Sequence, residues 1–106
     1  MSGSEGVEKL IALEVQEGLT ALEPHLRSWI CDHLIEPLQV ELATETDGSS
    51  IKSLWLVTDH VGKNDSSCRV VYDEVEQVFG LELTLDTGVE WYMGAYGTFS
   101  ETIKSM

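Results

Sequence analysis

Phe79-Gly80-Leu81-Glu82-Leu83-Thr84-Leu85-Asp86-Thr87-Gly88-Val89-Glu90-Trp91-Tyr92-Met93-Gly94 alternates apolar with polar or small residues on both sides of a turn signal. A period of two belongs to strands, so the stretch is a β-hairpin whose register the apolar set decides. Phe79, Leu81, Leu83 and Leu85 share one face, as do Val89, Trp91 and Met93 on the return. A two-residue turn at Thr87-Gly88 would pair Leu85 with Glu90 and turn half the apolar side chains to water. A three-residue loop, Asp86-Thr87-Gly88, pairs Leu85 with Val89, Leu83 with Trp91 and Leu81 with Met93. The pattern therefore selects the longer loop, with Gly88 in the left-handed position of a G1 bulge. The same register sets Gly80 opposite Gly94, a notch without side chains. On that other face Tyr92 stands opposite Glu82, beside Thr84 and Glu90.

Upstream the period stays at two. Arg69 to Asp73 reads as a strand, turned by Asp73-Glu74-Val75-Glu76-Gln77. Residues 51–58, around Leu54-Trp55-Leu56-Val57, are apolar on both faces and read as a central strand. Leu38, Val40 and Leu42 alternate with Gln39, Glu41 and Ala43, a strand with one buried face. Between these two, Thr44 to Ser50 with Asp47-Gly48 at its centre is a hairpin loop, and His60 to Ser67 is loop by composition.

Residues 4–35 carry a helical period instead: Val7, Leu10, Ile11, Val15, Leu19 and Leu22, then Leu22, Leu26, Ile30 and Leu34. Gly18 interrupts, and Thr20-Ala21-Leu22-Glu23 reads as a capping box. Two helices meeting near 18–20, or one kinked helix, satisfy the pattern. Pro37 stops it by pushing Glu36 out of the α region. At the other end Thr98-Phe99-Ser100-Glu101 opens a short helix with a Phe99, Ile103, Met106 stripe. The expected fold is α+β over residues 1–106 as a single domain. Two N-terminal helices, a five-stranded mainly antiparallel sheet and a short C-terminal helix form two layers.

The chain has 106 residues, 42% of them hydrophobic, with 19 Asp and Glu against 6 Lys and Arg. That is enough apolar surface for one core. A net charge of −13 repels phosphate backbones and anionic membranes, so neither nucleic acid nor membrane is an expected partner. The start lacks a basic and apolar leader, no run is long enough to span a bilayer, and two cysteines read as reduced thiols. A cytoplasmic protein is expected, as a monomer or a homodimer.

The chemical motifs are thin. Asp86-Thr87-Gly88 is similar to the catalytic triplet of aspartic proteases, yet too little chain follows to supply that family's bracing strand pair. Gly94-Ala95-Tyr96-Gly97-Thr98 enters a helix N-terminus but lacks the Lys-Ser/Thr of a phosphate loop. His25 and His33, about 12 Å apart along one helix, cannot share a zinc ion. Asp32-His33 and Asp59-His60 are the pairs that folding can bring together. Cys31 reads as a core thiol beside the Leu26, Ile30, Leu34 stripe. Trp55 and Trp91 fall on inward positions, which leaves Trp29 as an exposed aromatic anchor.

No catalytic residue, cofactor site or metal ligand set emerges. The expectation is a non-enzymatic acidic protein-binding module acting on a basic protein partner. Its contacts would be Tyr92, Glu82, Glu90 and Thr84 on an open sheet face, with Trp29 on the helical side. Immunity or antitoxin proteins that block a basic nuclease share this size and charge, as do dimeric secretion chaperones. The chaperones usually carry a helix where this chain has the Asp73 to Gln77 turn. The alternatives are a small homo-oligomerising structural domain and a small enzyme with a pocket that the sequence does not reveal.

Overall fold

The computed structural model describes residues 3–61 and 68–105. The order is α1 (Gly3–Thr20), α2 (Pro24–Cys31), β1 (Leu34–Ala43), β2 (Ile51–Thr58), β3 (Cys68–Asp73), β4 (Val78–Thr84), β5 (Glu90–Gly97) and α3 (Phe99–Lys104). This is the expected α+β arrangement. The five strands run as an antiparallel meander in chain order, and the sheet curls until its two edges meet. One parallel bridge, Ala43 to Trp91, closes the barrel.

Closure explains why β2 is apolar on both faces. Trp55 and Val57 face outward with Val70, Tyr72, Phe79 and Leu81, under Ile11, Val15, Ile30, Phe99 and Ile103 of the helices. Leu54 and Leu56 face inward with Leu42 and Val71, against Ile35, Val40 and Tyr92. No helix is long and apolar enough to cross a membrane, among the described residues.

The chain breaks between two helices rather than kinking one. Gly18 does not cause the break: it lies buried inside α1, where an added Cβ would come within 2.8 Å of the Phe99 ring. It is the seat on which α3 docks. The Thr20–Glu23 capping box does not form. Thr20 Oγ1 donates back to the Glu17 carbonyl, and Pro24 opens α2 at its first turn behind Glu23, which makes no side-chain cap. Pro24 fits there because its missing N–H has no intrahelical partner to lose.

The second helix is also shorter than its stripe suggests. It ends at Cys31, and β1 has begun by Leu34, before Pro37. Leu34 pairs with Thr58 and Leu38 with Leu56, so β1 carries extra residues across a bulge that contains Pro37. The bulge sends Leu34 to the outer core and Ile35 to the inner one. A two-residue alternation broken by a bulge mimics helical spacing over one turn, which is why the stripe overran.

The last hairpin keeps the three-residue loop. Leu85 N–H donates to the Val89 carbonyl at 2.8 Å, Gly88 N–H to the Leu85 carbonyl at 2.8 Å, and Gly88 has φ +91°. Leu83 pairs with Trp91 and Glu82 with Tyr92 as expected, but a bulge then moves Leu81 onto Gly94 and Gly80 onto Ala95. The capping box at Thr98 and Glu101 is present. The loop expected at His60 to Ser67 lies outside the described residues from 62 onward, as does Met106.

Candidate functional site

The face expected to be an open acidic interface is the inside of the barrel. Glu82 is fully buried, and both its oxygens accept from Arg69, Oε1 from Nε and Oε2 from Nη2, each at 3.0 Å. The pair arises because the Asp73–Val78 turn sets β3 against β4 with Arg69 directly opposite Glu82. Arg69 Nη2 reaches Glu90 at 3.2 Å, and Thr84 Oγ1 donates to Glu82 Oε2 at 3.2 Å. The Glu82 hydrogen bonds hold the Arg69 guanidinium charged in spite of burial, and Glu90 adds to the effect. Glu82 therefore cannot steer a partner. Glu90 and Thr84 remain exposed at the rim.

Tyr92 is half-buried and packs against the inner core. An added Cβ on Gly80 would strike the Gly94 carbonyl oxygen and come within 2.7 Å of Tyr92 Cε1 and 2.9 Å of its hydroxyl. The tyrosine ring thus fills the space that the glycine leaves, and the notch is not free. Burial, with the Asp73 and Glu76 carboxylates behind it, pushes the Tyr92 phenol up to about 12. Nearby Asp73 is 2% exposed and accepts from Lys52 Nζ at 2.6 Å and from the N–H groups of Val75 and Glu76. Burial works against its charge, but the lysine and the two amides outweigh it and hold the carboxyl below its ordinary value.

Trp29 is half-buried, packed on the helical side of the core, and its ring meets His33 edge-on at 6.2 Å. His33 Nδ1 lies 2.7 Å from Asp59 Oδ1, and Asp59 N–H donates to the His33 carbonyl. The two Asp-His neighbourhoods do meet, and they clasp the start of β1 to the end of β2. Cys31 is exposed at the end of α2 instead of lying in the core, and no disulfide joins it to Cys68. Among the described residues no group of three metal-ligating side chains converges.

What the sequence reading missed lies along β1. Asp32, Glu36, Glu41, Glu45 and Asp47 are all exposed, and no Lys or Arg occurs between Arg27 and Lys52. Leu38 is 57% exposed on the same strand and Ile51 59% on its neighbour. Beside the β1 bulge, Ile11, Val15, Leu19, Leu34, Ile35 and Pro37 line an apolar groove of about 220 Å³ between α1 and β1. The cation-free run was legible in the sequence. The exposure of Leu38 was not, because it depends on how far the barrel closes.

No family model, no curated protein and no solved structure matches this chain.

Proposed function

We propose that the chain is a non-enzymatic, acidic, cytoplasmic module that binds a basic protein partner, with the β1 flank in place of the sheet face as its contact surface. What carries the reading is where three of the six cations go. Arg69 and Lys52 turn onto Glu82 and Asp73, while Arg27 donates to the Leu19 and Leu22 carbonyls at the end of α1. Among the described residues the carboxylates of β1 and its turn have no such partners, so the outward field there is that of the surplus acids. The tight Asp73–Val78 turn favours the immunity or antitoxin type over the chaperone type.

The test is capture from the native lysate with the intact chain and with a Glu36→Lys, Glu41→Lys double variant of matched stability. A basic protein retained at low salt, released near about 300 mM salt, where screening is strong, and lost with the double variant supports the reading. Retention of the same proteins by both chains, indifferent to salt, overturns it.

A further inference from the structure

We infer that the exposed edge of β1 takes up an extended segment of the basic partner as an added strand, with basic side chains on one face and apolar side chains on the other. This rests on the reading above and names its binding mode.

The backbone is the first argument. Thr44 N–H donates to the Ser50 carbonyl, and β1 pairs with β2 in unbroken register from Leu38–Leu56 to Ala43–Ile51. In an antiparallel ladder the hydrogen-bonded pairs alternate, so Leu38, Val40 and Leu42 point their peptide groups at β2. Those of Gln39, Glu41 and Ala43 point the other way. Ala43 uses its outward groups on the Trp91 bridge. Gln39 and Glu41 meet no strand among the described residues, and both are exposed. Unpaired edges are commonly blunted by proline or lysine. Here Pro37 blunts only the bulged start, and no lysine protects the rest.

The side chains say what fits. A strand laid along this edge would set alternate residues beside Leu38 and Val40, and the others beside Gln39 and Glu41. Leu38 and Val40 call for apolar neighbours. Glu41, with Glu36 and Glu45 at either end, calls for Lys or Arg. The incoming segment therefore alternates basic with apolar residues. A second copy of this chain is the wrong occupant, because an edge-to-edge β1 pair sets two cation-free strands, each carrying Glu36 and Glu41, side by side.

The probe is a synthetic ten-residue peptide of alternating lysine and valine, with two isomers N-methylated on all valine or all lysine nitrogens. Added to the isotope-labelled full chain, the parent peptide should slow hydrogen exchange at the Gln39 and Glu41 amides at least tenfold. One methylated isomer should lose tenfold or more in affinity while the other keeps it, since only one set of peptide N–H groups faces β1. Equal binding by both isomers, or binding that leaves Gln39 and Glu41 unprotected, overturns the added strand while leaving an acidic binding surface in place. Absence of binding at millimolar peptide also overturns it; the broader reading then stands or falls with the capture experiment.

Discussion

The β3–β5 wall and the β1 flank are both acidic strands with the same alternation, yet they use their carboxylates in opposite ways. In the wall, Glu82 and Asp73 are buried, and each is met by a cation and by hydrogen-bond donors. Along β1, Glu36 and Glu41 stand in water without a cation on their own strand. Register makes the difference. Where a turn sets Arg69 across from Glu82, the charge becomes part of the interior; where the neighbour is Ser53, across from Glu41, it remains surface. One set of acids holds the barrel together, and the other faces solvent.

The sharpest way to break that contrast is Glu82→Ala. Removing one member of a buried, hydrogen-bonded ion pair leaves the other uncompensated, a loss of about 3–5 kcal/mol. Glu41→Ala should stay within about 0.5 kcal/mol, as surface changes do. Urea melts of the two variants measure the gap directly. Equal losses would mean that Arg69 finds full compensation in Glu90.

Gly80→Ala comes next, since its Cβ would press on the Gly94 carbonyl and the Tyr92 ring. Overpacking of this kind costs about 1–3 kcal/mol. Gly88→Ala is the control: nothing lies within 4 Å of its Cβ, so only the positive φ of +91° resists. That backbone term is about 1–2 kcal/mol. Tyr92→Ala is expected to destabilise, because the ring closes over Gly80.

The wall should also show itself in alkali. The Tyr92 phenol is raised from 10.0 to about 12 in the folded chain. A group whose folded pKa exceeds its unfolded one contributes stability below the unfolded value and loses it as pH climbs through the folded value. Stability should therefore fall between pH 10.0 and about 12, and Tyr92→Phe should flatten that part of the profile. Asp73 works at the other end: its lowered pKa gives stability above the ordinary 3.8 that is lost only at lower pH. An unchanged alkaline profile in Tyr92→Phe would place the phenol in water.

How much of this was readable depends on which signal was local. The three-residue loop at Gly88 followed from face-matching of Leu85 with Val89, and the structure keeps it. The Arg69–Glu82 pair was equally accessible once the Asp73–Gln77 turn was recognised, since counting outward from the turn brings the two residues together. Without that count Glu82 passed for a surface acid. Leu34 was misread because the β1 bulge imitates a helical step. Barrel closure at Ala43 and Trp91 joins strands distant in sequence, and no local pattern announces it. The open β1 edge, which depends on that incomplete closure, was hidden for the same reason.

The smallest effect concerns the flank itself. Surplus acids repel one another in the compact chain, and salt screens them over a Debye length of about 10 Å at 0.1 M. The melting temperature should rise by a few degrees between about 10 mM and about 300 mM sodium chloride. Glu41→Lys should raise low-salt stability by a few tenths of a kcal/mol at most, the scale of exposed charge interactions, and reduce the salt slope. The direction separates the two regions, because screening weakens an attractive pair and relieves a repulsive cluster. Arg69–Glu82 is shielded from added ions by burial, so salt should leave its contribution nearly intact while it quiets β1. A melting temperature that falls with salt would show that attractive pairs dominate the surface, and β1 would then have its cations after all.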